Sequence, residues 1–151
     1  MNFHYSEHHD KLTVDCPPKE YKPLNITVYR WVFQYADEKN FQSQYEKDMK
    51  RKSPPRRYND ITDLEKCERM ALSMFISFEF AENQFFFLRD EQNLQANAYL
   101  WLGENISVGE LFVSDGVNEI PPNKFGHFNH HPAKDFDYPN KFQIISCFCK
   151  I

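Results

Sequence analysis

The chain has 151 residues, 41% of them hydrophobic and 17% aromatic, and a net charge of −4. That length suits one domain with its own core, and the charged fraction of 26% is that of a globular chain. The acidic balance argues against a general nucleic-acid coat, and no apolar run approaches the ~20 residues of a membrane-spanning helix.

The first ten residues, MNFHYSEHHD, carry neither a basic n-region nor an apolar h-region, so no secretion signal is expected there. Residues 1–23 read as an arm. Pro17, Pro18 and Pro23 break any helix or strand period, and only Leu12 and Val14 suggest contact with a body formed by 24–151. Residues 24–35 read as a strand, rich in β-branched and aromatic side chains. Ile26, Val28, Arg30, Val32 and Gln34 share one face, and Thr27, Tyr29, Trp31, Phe33 and Tyr35 the other.

A helix is expected over 37–51, capped by Asp37, with Phe41, Tyr45 and Met49 on one side. Pro54 and Pro55 end it. Thr62-Asp63-Leu64-Glu65 fits a capping box, in which hydroxyl and carboxylate satisfy free backbone N–H groups, followed by a stripe of Leu64, Cys67 and Ala71. Leu72–Ile76 is a short buried strand. Ser77 caps a helix over 78–90, where Phe78, Ala81, Phe85 and Leu88 recur at helical spacing. Further strands are expected at 98–102, 110–113, 126–131 and 141–150, with a turn at Asp115-Gly116 and a loop at Pro121-Pro122. Strands and helices without regular βαβ alternation predict an α+β domain: a mainly antiparallel, aromatic-rich sheet with two to three helices.

The four cysteines, Cys16, Cys67, Cys147 and Cys149, are not spaced like a disulfide framework and read as free thiols in a reducing cytoplasm. His127 and His131 alternate onto one strand face, with His130 on the other, and Cys147 or Cys149 is a conceivable thiolate partner. No C-x-x-C or H-E-x-x-H accompanies them, and His8-His9 in the arm is a weaker signal still, so zinc is not expected. His127 is a general acid–base candidate because imidazole titrates near neutrality.

Lys47, Lys50, Arg51, Lys52, Arg56 and Arg57 form a basic cluster that can grip phosphates, with Tyr58 placed to stack on a base; the simpler reading is a solvated helix end. Arg30 stands mid-strand among Val, Tyr, Trp and Phe. Such a guanidinium must snorkel out to water, pair with a neighbouring acid, or grip an anionic ligand such as a phosphate. The four glycines make no phosphate-binding loop, and no G-x-S-x-G is present.

Arg30 on an early strand is followed by Ser73 and Ser77, on a strand leading into a helix with Ala81 near its start. Glu104, Glu110 and Glu119 come later. In that order these residues resemble the ADP-ribosyltransferase-like fold, although no E-x-E pair or S-T-S triplet accompanies them. The resemblance implies that Arg30 holds NAD, that Ser73 or Ser77 shapes a nicotinamide pocket, and that Glu110 supports an oxocarbenium-like transition state. The tract G-x-x-I-x-x-G-x-L at 103–111, D-G at 115–116 and G-H-F at 126–128 also looks like small bacterial proteins, which implies no activity.

Three functions stay open. A non-catalytic binding or accessory module, contacting a protein or a nucleotide-like ligand, stands first because no catalytic constellation reaches a recognised motif. The others are an NAD-using transferase and a single-strand nucleic-acid binder acting through 47–58.

Overall fold

The computed structural model describes residues 1–33, 38–53, 55–90 and 102–148. Within them one antiparallel six-stranded sheet is flanked by helices, the α+β class read from the sequence. The strands are β1 (Ile26–Val32), β2 (Leu72–Phe75), β3 (Asn105–Leu111), β4 (Gly116–Asn118), β5 (His127–Pro132) and β6 (Gln143–Cys147). Their spatial order is β4-β5-β2-β1-β3-β6. β1 pairs with β3 along its whole length, from Ile26 opposite Leu111 to Val32 opposite Asn105. With β2 it shares only the register pair Tyr29–Phe75.

Alternation along β1 and β2 sends side chains into two cores, one on each face. Val28, Leu72, Met74 and Phe128 pack with Phe41, Tyr138 and Phe142. Tyr29, Trp31, Phe75 and Ile106 pack with Ala81, Phe85 and Phe148. Phe85 and Phe148 stack at 3.6 Å between ring centroids. Burying each such side chain is worth roughly 1.5–3 kcal/mol, so both faces contribute to stability.

The helices are α1 (Ser6–His9), α2 (Gln44–Met49), α3 (Asp63–Arg69) and α4 (Phe78–Asp90). There is one more than expected because the arm supplies α1. α4 keeps its predicted bounds: the Ser77 hydroxyl accepts from the Phe80 N–H at 3.2 Å, and Ala81 and Phe85 face the sheet. α3 starts at Thr62 as expected, its hydroxyl accepting from the Glu65 N–H. Its buried side differs: Cys67 is buried but Leu64 is 49% exposed. α2 is shorter than the 37–51 reading. A 3₁₀ turn at Glu38–Phe41 precedes it, and Ser43 is its cap, accepting from Glu46 at 3.1 Å. The expected cap Asp37 and most of the strand expected at 98–102 lie outside the described residues.

The arm folds onto the body. Phe3 and Lys22 bridge to Ala133 and Asn118, and Tyr5 is buried. The free-thiol reading needs correction: Cys16 and Cys67 form a disulfide, and among the described residues no cysteine is free. The arm had no period from which this pairing could be read. No described helix is long and apolar enough to cross a membrane.

Candidate functional site

Beyond Tyr29–Phe75 the two central strands part, and a cavity of ≈ 480 Å³ opens beside the seam. Arg30 of β1, Ser73 and Phe75 of β2 and His127 of β5 line it together with Lys47 of α2 and Glu68 and Arg69 of α3. Unpaired strands leave carbonyls in need of donors. Arg30 supplies them: Nη1 donates to the Ser73 carbonyl at 2.7 Å and Nε to the Asn40 carbonyl at 2.9 Å. The Asn40 side chain accepts from the Phe33 N–H at 2.8 Å, which fixes the 3₁₀ turn that presents this carbonyl.

Arg30 is only 8% exposed. Burial lowers its pKa to about 10, so it stays charged at neutral pH. The acid partner that one sequence reading required is not seen: among the described residues no carboxylate pairs with it, and its bonds go to carbonyls. Lys47 stands over the Phe33 ring, its pKa lowered by burial and by the Arg30 charge. Burial raises the Glu68 pKa, with Glu119 and Glu65 adding repulsion. The lining therefore holds three cationic side chains against one reluctant carboxylate. The Trp31 and Phe75 rings, 4.9 Å apart, with Phe33 and Phe125, supply flat apolar wall. His127 packs against Phe75, and burial lowers its pKa, leaving it neutral at pH 7.

Three of the sequence-chosen residues, Arg30, Ser73 and His127, thus meet at one cavity. The others sit elsewhere. Ser77 caps α4. Glu110 is exposed, opposite Thr27, about 10 Å along the ladder from the Arg30 position. Glu119 accepts from the Tyr21 hydroxyl, and the Glu104 backbone bonds Val32 and Phe148. The Tyr58 hydroxyl donates to Asp48 at 2.6 Å, and Arg69 covers its ring. Arg56 is exposed; the Arg57 side chain lies outside the described part. Of the basic cluster, Lys47 alone lines the cavity, and Lys50 pairs with Glu46 at 3.3 Å. Lys47 is expected in a phosphate-gripping cluster but not beside Arg30, and Glu68 and Arg69 are not expected at all, because nothing local says that α2 and α3 face the same seam.

The histidines separate as the strand alternation predicts. His130 is fully buried between Asn118 and Tyr138, on the side opposite His127. Cys147 cannot join His127 or His131 around a metal: four strand spacings, about 19 Å, separate β6 from β5. No protein-family model, curated protein or solved structure matches the chain.

Proposed function

We propose that the protein is a non-catalytic binding module whose cavity takes a small ligand joining an anionic group to a flat aromatic one, of nucleotide kind. The observation that carries this is Arg30, a buried guanidinium on the cavity wall with no carboxylate paired to it among the described residues. Lys47 and Arg69 add positive charge, and the aromatic wall suits a base or similar ring. Mixed apolar walls with few charged groups are the usual make-up of small-molecule sites.

A thermal-shift panel of NAD, ADP-ribose, ATP and a short single-stranded oligonucleotide tests it. The mononucleotide and dinucleotide ligands are expected to raise the melting temperature, by ~2.7 kcal/mol of stabilisation at a hundredfold excess over Kd. Lys47→Ala and Arg69→Ala are expected to weaken the shift and Glu110→Ala to leave it alone. No shift from any ligand sinks the reading. The transferase reading keeps Arg30 and Ser73 at the cavity but not Glu110; release of nicotinamide from NAD separates turnover from binding. The Cys16–Cys67 disulfide supports an oxidising or redox-cycling setting over the reducing cytoplasm that free thiols implied.

A further inference from the structure

A second group of chemistry-bearing side chains lies where the arm meets α3 and β5. His9, Cys16 and His131 place donor atoms within 4.8 Å of one another. The Cys67 sulfur, bonded to Cys16, is 3.9 Å from His131 Nε2. These four residues come from α1, the following arm, α3 and β5, so only the folded chain assembles them.

Two observations single this group out from an ordinary buried disulfide. His9 and His131 are 4% and 1% exposed, and one nitrogen of each, His9 Nε2 and His131 Nδ1, is buried without a hydrogen-bond partner. An orphaned buried polar atom costs about 1–3 kcal/mol, so a fold that keeps two such histidines with ring centroids 5.2 Å apart needs a reason. The second is chemical type. Two cysteines and two histidines are the ligand set of a structural zinc site. With metal–ligand distances of ~2.0–2.3 Å in a tetrahedron, donor atoms stand roughly 3.3–3.8 Å apart. The 3.9 Å from Cys67 Sγ to His131 Nε2 is close to that, and the His9, Cys16 and His131 donor atoms all lie within 4.8 Å of one another. Only the bonded sulfurs must move apart.

We propose that His9, Cys16, Cys67 and His131 form a zinc site that assembles when the Cys16–Cys67 disulfide is reduced. A dithiol reductant breaks the S–S bond, delivering two electrons and two protons and leaving as its own disulfide. Two thiols result. On metal binding each thiol gives its proton to water and its sulfur lone pair to zinc, so two thiolates balance the 2+ charge. The two imidazoles bind as neutral ligands. Burial already holds both in that form, with pKa values lowered to about 4 for His9 and about 3 for His131. Phe3 against His9 and Tyr21 against His131 close the group off with rings. The disulfide pins the arm to α3 in the oxidised state, and zinc pins it to α3 and β5 in the reduced state.

The test uses the full chain carrying Cys147→Ser and Cys149→Ser, so that only one thiol pair can form. It is reduced with a phosphine, which supplies the two electrons and becomes the phosphine oxide with an oxygen from water, while that water supplies the two protons. Cobalt(II) is titrated in, then zinc. The expected result is one equivalent of cobalt bound, with a thiolate-to-cobalt charge-transfer band and tetrahedral ligand-field absorption, both removed by zinc. The unreduced chain is expected to show neither. His9→Gln is expected to weaken cobalt binding at least tenfold; it alters the short arm rather than the sheet, so its fold is readily checked by circular dichroism. Absence of the charge-transfer band in the reduced chain overturns the proposal. So does a band that His9→Gln leaves unchanged, or one that appears only when Cys147 and Cys149 are restored.

Discussion

Arg30 Nη1 donates to the Ser73 carbonyl across the place where β1 and β2 cease to pair. One side chain thereby bonds across the seam to β2 and, through Nε, holds the Asn40 carbonyl of the 3₁₀ turn. It also keeps the central seam of the sheet open enough to leave a cavity. The residue that makes the site is thus also a structural tie, and variants must separate the two roles.

Arg30→Ala removes donors from two carbonyls, Asn40 and Ser73. Each buried acceptor left unsatisfied costs about 1–3 kcal/mol, so the variant is expected to lose roughly 2–6 kcal/mol in urea denaturation. Arg30→Lys keeps the charge but not the planar fork that reaches both carbonyls. It is expected to recover part of the stability and little of the ligand-induced thermal shift. Equal ligand binding by Arg30→Lys and wild type would show that charge alone is read.

The elements read correctly were those whose signals are local. The Ser77 cap and the three- and four-residue spacing of Phe78, Ala81 and Phe85 lie within one helix, and that helix forms where expected. The strand at Ile26–Val32 announced itself through β-branched and aromatic residues. What stayed hidden depends on adjacency. Ser43 displaces Asp37 as the helix cap because the chain first makes a 3₁₀ turn around Asn40, whose carbonyl Arg30 holds. Leu64 lies outward because Cys67 decides which side of α3 is buried. Arg30 could be suspected from sequence, since a charge among apolar strand residues is costly. Lys47 could be suspected only as one of a basic cluster, and Arg69 not at all, because each looks like any surface cation until the helices are placed.

Tyr138→Phe tests the buried polar pair on the other face. Asn118 Nδ2 donates to the Lys22 carbonyl, so its Oδ1 must accept from His130 Nδ1–H at 2.8 Å. Neutral His130 then has only Nε2 as acceptor, and the Tyr138 hydroxyl donates to it. Phenylalanine preserves the ring packing and leaves Nε2 without a donor. The expected cost is about 1–3 kcal/mol by denaturant titration. The hydroxyl also lies 2.8 Å from the Asp115 carbonyl, and a change within a few tenths would show that neither contact contributes measurably.

Gly109→Ala tests packing without backbone strain. A Cβ there would stand 2.8 Å from two Phe142 ring atoms and 2.9 Å from a third, and Phe142 belongs to the first core. The ring is wedged among Phe41 and Tyr138. Overpacking of this kind costs typically about 1–3 kcal/mol, and the pair Gly109→Ala with Phe142→Leu is expected to recover part of it. A neutral Gly109→Ala would show that Phe142 has room to turn.

The disulfide closes a long loop, with Cys16 and Cys67 separated by 51 residues. The chain-entropy account gives such a link about 4 kcal/mol through the unfolded state. Cys16→Ser with Cys67→Ser is therefore expected to lower the denaturation midpoint clearly in metal-free buffer under oxidising conditions. An unchanged midpoint would mean that the arm is held by Tyr5, Phe3 and the Thr13–Asp63 bonds alone.

Acid should unfold this protein early, for a reason that can be counted. With the disulfide closed, burial lowers the pKa of both His130 and His131 to about 3, against about 6.5 for an unfolded histidine. Above pH 6.5 neither state binds these protons, and the stability is fully present. As pH falls below 6.5 the unfolded chain takes up two protons that the native chain refuses, so stability drops until the pH reaches about 3. Each proton is worth ~1.4 kcal/mol per pH unit, which makes the expected slope about 2.7 kcal/mol per unit between pH 5.5 and 4. His9 and His127, also lowered by burial, steepen it, whereas Glu68, raised by burial, works the other way near pH 4 to 5. Urea midpoints measured from pH 7.5 to 4.5 decide the matter. A fall that begins near pH 6.5 and deepens steadily supports buried neutral imidazoles. A flat profile down to pH 5 would mean that His130 or His131 finds a proton-accepting partner in the native state.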